Sequence, residues 1–261
     1  FGDLVGSTRT GKALLDLGAN TDDQAFSVAV QADGKILIAG YYTNPQPAGS
    51  TGASITNTNN YGVVRLNADG SLDTSFGDLV GSTRTGKALL DLGTKTIDLA
   101  YSVAVQADGK ILIAGSTNAQ PAGSTGTSNN YGVVRLNADG SLDTSFGDLI
   151  GSSRTGKALL DLGANTNELA QSIVTQADGK ILIAGFTTAQ PAGSTGTSNN
   201  YGVVRLNADG SLDTSFGDLI GSSRTGKVLL DLGANANNRA YSVVTQADGK
   251  ILIAGYTNAR L

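Results

Sequence analysis

The sequence contains no cysteine, histidine, methionine or tryptophan. Without the first two there is no disulfide framework, no Cys/His zinc site, no histidine haem ligand and no Ser-His-Asp or Cys-His nucleophile. Charge is scarce too: 18 basic and 22 acidic side chains in 261 residues leave a formal charge of -4. The charges are spread along the chain, with neither the basic stripe nor the aromatic platforms that nucleic-acid binding needs. No apolar run approaches the ~18 residues that cross a bilayer as a helix, and no charged and apolar leader opens the chain. The first residue, Phe1, falls inside a repeating unit, so a piece of a longer protein is expected.

What is present is repetition. The stretch QADGKILIAG begins at Gln31 and returns unchanged at Gln106, Gln176 and Gln246. Copies of FGDL at Phe1, Phe76, Phe146 and Phe216 set periods of 75, 70 and 70 residues. The chain divides into repeats 1–75, 76–145, 146–215 and a partial 216–261, which together form one domain or part of one. Copy two contains four strand-like runs. Lys87 to Leu92 lies between glycines and is too short for an isolated helix, despite its helix-favouring leucines. Ala100 to Gln106 alternates large and small residues, Lys110 to Gly115 is apolar on both faces, and Tyr131 to Asn137 alternates again. We name them d, a, b and c in chain order, with a innermost. Ala107-Asp108-Gly109 suits a three-residue hairpin with glycine in the left-handed position, and Asn137 to Gly140 ends strand c in the same way.

Four antiparallel strands per unit predict an all-β fold, a β-propeller of four-stranded blades with three full copies and an incomplete fourth. The a–b and c–d connections then lie on one side of the disc and the b–c and d–a connections on the other. The b–c connection, TNAQPAGSTGTSNN from Thr117, is long and uncharged, and copy one lengthens it by five residues. In the c–d connection Phe146, Leu149 and Ile150 are expected to plug inward, as are Phe76, Leu79 and Val80.

Each motif that suggests chemistry has a plainer reading. GSTRTGKA from Gly6 has the glycine and lysine spacing of a phosphate loop, but Ala13 replaces the magnesium-binding hydroxyl and no long helix follows, so a turn is expected. Asn67, Asp69, Ser71 and Asp73 alternate oxygen side chains like a calcium loop, yet Gly70 is misplaced and no bidentate glutamate follows. Asp73 and Asp78 could form a carboxylate pair for glycoside hydrolysis, but they recur in every copy as scaffold residues do. Arg65, Arg135 and Arg205 in strand c need a partner, for which Asp91 of strand d is the candidate. Tyr61, Tyr131 and Tyr201, with Asn60, Asn130 and Asn200 beside them and Asp98 and Glu168 on the d–a loops, make up a possible binding face. Tyrosine rings there could stack a sugar or simply pack at the strand ends. No catalytic, metal-binding or cofactor-binding residue is assigned.

The order GKALLDLG, AYSVAVQADGKILIAG, YGVVRLNADGSLDTSFG resembles the delta-60 repeat, a blade of bacterial β-propellers, over the three full copies and most of the fourth. The resemblance implies a non-enzymatic module of a large, secreted or surface-attached bacterial protein. Strand c of the fourth copy is absent from the sequence. The ring could close with a thin blade in which Lys12 to Leu17 pairs with Lys250 to Tyr256, an open edge could recruit another chain, or the protein could continue. A homo-oligomer or a continuation is expected, used structurally. The alternative is recognition of a neutral glycan or a surface protein through the b–c and d–a loops.

Overall fold

A computed structural model describes residues 1–18, 21–43, 58–124, 126–194, 196–233 and 235–259, and every regular element among them is a β-strand. Strands a, b and c of one copy are joined by strand d of the next, in the order a-b-c-d, all antiparallel. The first sheet is Asp23–Val30, Ile36–Thr43, Asn59–Leu66 and Lys87–Leu90. The second is Asp98–Val105, Ile111–Thr117, Asn130–Leu136 and Lys157–Leu160. The third is Glu168–Thr175, Ile181–Thr187, Asn200–Leu206 and Lys227–Leu230. The fourth is a hairpin of Asn238–Thr245 and Ile251–Thr257. The all-β, four-stranded propeller architecture read from the sequence is the one observed.

The a–b turn forms as its residues dictate. Gln106 N donates to Lys110 O at 2.8 Å and Gly109 N to Gln106 O at 2.9 Å. Gly109 has φ +84°, a conformation that costs a residue without a Cβ nothing. Strand b of copy two is buried along its length, and that of copy three at every residue but the half-buried Phe186, because both faces are covered by sheets. Each sheet therefore has a leading face, toward the preceding copy, and a trailing face. Leu37, Ala39, Tyr61 and Val63 on the trailing face of the first sheet meet Ala100, Val103, Ile111 and Ile113 on the leading face of the second. The next interface repeats the set with Leu112, Ala114, Tyr131 and Val133 against Ala170, Ile173, Ile181 and Ile183. Each fully buried aliphatic side chain of this kind contributes about 1.5–3 kcal/mol, so the interfaces between sheets are the core.

Three expectations change. Lys12 to Leu17 forms no strand and does not pair with Lys250 to Tyr256. Instead Leu17 lies over Gly62 on the leading face of the first sheet, where a Cβ on the glycine would come within 2.6 Å of it. That is the place Leu92 takes over Gly132 in the next sheet. Second, Phe76 and Phe146 are buried, but Leu149 and Ile150 are 56% and 76% exposed, and Leu79 and Val80 match them. The c–d connection folds into a small hairpin, Leu149–Ile150 against Ser153–Arg154, with Gly151 at φ +64° in its turn, and this turns the apolar pair outward. Third, strand d is shorter than expected, ending at Leu90 and Leu160. The five extra residues of copy one fall in 44–57, outside the described residues.

Candidate functional site

The residues proposed from sequence as a binding face are all buried. Tyr61 and Tyr131 are fully covered, and their hydroxyls donate to Gly132 O and Gly202 O of the following sheet, each at 3.0 Å. Burial pushes both phenols well above their ordinary range. Glycine is required opposite them, since a Cβ on Gly132 would overlap Leu92 Cδ2 and sit 2.8 Å from the Tyr61 hydroxyl. Asn130 and Asn200 donate to Ala119 O at 2.8 Å and Ala189 O at 2.9 Å, tying off the b–c loop, and Asn60 donates to the Tyr42 hydroxyl at 3.3 Å. Tyr201 is 6% exposed, so none of these rings is available to a ligand.

Asp98 and Glu168 open strand a and are turned inward. Asp98 accepts from Leu92 N and the Thr96 hydroxyl, both at 2.9 Å, and so pins the connection that follows strand d of one sheet to the start of strand a of the next. Burial raises its carboxyl. Glu168 accepts from the Thr166 hydroxyl at 2.6 Å, while its Oε2 is buried without a partner. Burial pushes it up to about 7, partly opposed by the Thr166 bond.

The strand-c arginines pair within their own copy. Arg65 Nε meets Asp73 at 2.6 Å and Arg135 Nε meets Asp143 at 2.7 Å, so Asp91 is not the partner. Asp91 instead accepts from Gly93 N at 2.9 Å, two residues along. Each guanidinium lies over a phenylalanine ring, Phe76 at 4.5 Å and Phe146 at 4.6 Å, and donates to the next sheet through Ala138 O or Ala208 O. Burial alone would raise Asp73, but bonds from Lys35, Ser75 and Arg65 outweigh it and hold the carboxyl well below the usual range. Such a carboxylate stays ionised and is no reservoir for an acid proton.

Asp69 accepts from Ser71 N at 2.9 Å and Ser71 Oγ at 2.6 Å, a turn stabilised by its own side chain. Among the described residues no group of three or more acidic side chains is placed to hold a metal ion. The phosphate-loop-like glycine, Gly81, sits in a hairpin turn, and Lys87 opens strand d with its ammonium on Asp16 O.

The surfaces that stand out are the two ends of the series of sheets. On the leading face of the first sheet Val28 is 65% exposed, although its counterparts Val103 and Val243 are 7% and 1% exposed. On the trailing face of the last sheet Leu252 is 51% exposed, although Leu112 and Leu182 are fully buried. The polar ties between sheets are also half made there. Arg84 and Arg154 bond both a glycine carbonyl of their own connection and the aspartate in the turn of the following sheet, Asp139 or Asp209, 55 residues on. Arg224 makes only the first of these bonds, to Gly217 O at 2.6 Å. The Tyr201 hydroxyl lies against strand b of the fourth sheet, 2.8 Å from where a Cβ on Gly255 would sit. Sequence reasoning missed these ties because their acceptors lie 55 residues further along the chain.

No curated protein matches the sequence. A family model described as a domain of unknown function (DUF5122) beta-propeller matches residues 31–51, 48–76, 106–146, 176–216 and 246–260, more than half of the chain. The matched segments carry strands b and c and the Asp-Gly turns that set the sheet order, and on that evidence the chain belongs to this β-propeller family.

Proposed function

We propose that the protein is a non-enzymatic, self-associating structural module in which the propeller series of one chain continues into another. The observation that carries the reading is the pair of uncovered end faces. Ala25, Val28 and Ile38 on one end, and Leu252 and Ala254 on the other, are the counterparts of residues that cover each other at the internal interfaces, Ala100, Val103 and Ile113 against Leu37 and Ala39 in the first of them. Near-identical copies make the two ends complementary by construction. The similarity of GKALLDLG and LNADGSLDTSFG to the delta-60 repeat supports a place on the surface of a bacterial cell or outside it.

Light scattering over a range of concentrations tests this. The wild-type chain is expected to exceed its monomer mass of 26.3 kDa as concentration rises, and Leu252→Glu to return it to the monomer. A wild-type chain that stays monomeric up to its solubility limit removes the reading.

A second reading, recognition of a neutral glycan or a protein, draws support from a groove that recurs at the outer edge of the sheets. It is formed by Gln190, Pro191 and Ala192 of the b–c loop with Leu219, Ile220 and Leu229, and has a volume of about 590 Å³. The equivalent groove at Gln120, Ala122, Leu149, Ile150 and Leu159 measures about 380 Å³. Binding to a glycan array that survives Gln120→Ala together with Gln190→Ala would count against it.

A further inference from the structure

We propose that the outer grooves of the second and third sheets each take a lysine or arginine flanked by aliphatic residues, on an extended segment of a partner protein. The cation lies on Asp148 or Asp218, and the aliphatic groups lie against Leu149 and Ile150 or Leu219 and Ile220. The proposal rests on the second reading above, that these grooves are recognition sites, and names the chemistry they select.

Both grooves lie inside the series, on sheets that have a neighbour on either side, and they carry the same residues at equivalent positions. Strand d is the outermost strand of each sheet, and Asp148 covers part of its free edge. Asp148 N donates to Lys157 O at 2.6 Å, and its Oδ2 accepts from Leu159 N at 2.8 Å. Asp218 accepts from Leu229 N in the same way, at 2.9 Å. An edge closed by a carboxylate does not accept a further strand, so recognition falls to side chains. The walls are aliphatic and open to water: Leu149 and Ile150 are 56% and 76% exposed, Leu219 and Ile220 59% and 76%. Volumes of about 380 and 590 Å³ fall in the range of about 300–1,000 Å³ for sites that hold a few ligand groups. They exclude a folded element and admit a short segment.

Charge then selects the ligand. Among the described residues Asp148 pairs with no cation, and its Oδ1 accepts no hydrogen bond. The basic side chains nearby are engaged elsewhere, Arg154 with Gly147 O and Asp209, and Lys157 with Asp91 O. The surrounding side chains hold water back from Asp148 and raise its carboxyl, against the opposing effects of Leu159 N and the Arg154 charge. A carboxylate in such a place gains more from an arriving cation than one in open water does. The net charge of -4 attracts the same ligands at longer range. A lysine or arginine fits both features, because its stem covers aliphatic surface while its head reaches the carboxylate. A neutral sugar fits less well. No aromatic ring is among the residues lining either groove, and the Gln120 amide already donates to Asn118 O and Ser128 O.

The test is fluorescence anisotropy of a labelled Val-Lys-Val-Lys-Val peptide titrated with the 261-residue chain, with an array of neutral glycans probed in parallel. We expect saturable binding, weaker by about tenfold for Val-Glu-Val-Glu-Val and for Ser-Lys-Ser-Lys-Ser. Asp148→Asn with Asp218→Asn keeps an acceptor for Leu159 N and Leu229 N, and should weaken binding about fivefold by removing the charge alone. Serine at Leu149, Ile150, Leu219 and Ile220 together should weaken it about tenfold. Equal binding by the glutamate peptide, or undiminished binding by either variant, overturns the inference and places the peptide on the apolar end faces instead. Glycan binding without peptide binding overturns it and leaves the second reading, and binding of neither overturns both. Peptide binding with the expected losses supports it whether or not a glycan binds.

Discussion

Replacing Asp143 by alanine removes the anion from a buried ionic cluster whose other members remain. Asp143 accepts from Arg135 Nε at 2.7 Å, Lys110 Nζ at 2.9 Å, Ser145 N at 3.0 Å and Ser145 Oγ at 2.7 Å. The Asp143 and Arg135 side chains are each 6% exposed, so in the variant the guanidinium stays out of water with its countercharge gone. A stranded buried charge of this kind costs about 3–5 kcal/mol. The cost here falls toward the lower figure, because Arg135 keeps Ala208 O, Ser145 and the Phe146 ring. The third copy provides an internal control. Asp213 holds Arg205 at the same 2.7 Å, but the Arg205 side chain is 19% exposed, and water can replace part of what is lost. Asp213→Ala should therefore cost about 1–3 kcal/mol. Urea unfolding followed by circular dichroism reads both, and Asp143→Ala should lower the melting temperature by on the order of 10 °C. The pH dependence gives a second readout. Burial would raise the Asp143 carboxyl, but the bonds from Ser145 and Lys110 and the charge of Arg135 hold it well below the ordinary range. The stability it contributes is thus complete above the unfolded value of ~3.9 and is lost as pH falls toward the folded value. The variant should lack that acid-dependent loss. A cost below about 1 kcal/mol, or equal costs at Asp143 and Asp213, would refute the reasoning.

Glu168→Gln should stabilise the protein in mild alkali and leave it unchanged in acid. Its carboxyl moves from 4.5 to about 7 on burial, so across that window the folded chain holds a proton the unfolded chain has lost. Stability then falls as pH rises, by up to ~3 kcal/mol, and the full cost is present above pH 7. Thermal melts at pH 4 and pH 8 read the difference, and a wild-type to variant gap that does not change with pH would exclude it. Leu149→Ser combined with Ile150→Ser, at side chains 56% and 76% exposed, should shift stability by no more than about 0.5 kcal/mol. A larger loss in urea unfolding would mean that the hairpin tip is packed.

The parts of the fold legible in the sequence were those set by local chemistry. The alternation in Tyr131 to Asn137 and the glycine of Ala107-Asp108-Gly109 fixed strand and turn together, since period and left-handed φ both act over a few residues. Hydrophobicity suggests burial for Leu149 and Ile150, and only the turn at Gly151 shows that the pair faces outward. The carboxylate that Arg135 meets is hidden for a related reason: Asp143 is reached through the turn that follows strand c, not across the sheet on strand d. The tyrosines pack at the strand ends, the plainer of their two readings, but what they pack against is not legible locally, because Gly132 and Gly202, which accept from Tyr61 and Tyr131, lie 71 residues further on. One signal was available. Asn-Tyr recurs unchanged in three copies while the d–a loops vary, and invariance between copies marks residues that serve an interface common to all of them.

Because the Tyr61 to Gly132 tie and its counterparts always reach one copy ahead, the unfolded chain contains several equally good targets for each segment. Any YGVVRLN run can zip against any ILIAG run, and an off-by-one alignment satisfies nearly every backbone group while excluding a whole copy as a loop. Such traps slow the folding of repeat proteins and favour tangles between chains. Emergence from the ribosome in order removes the degeneracy, since the second sheet can condense only on the first. Refolding from denaturant restores it, so the recovered yield should depend on concentration far more steeply than that of a single-copy domain of equal size.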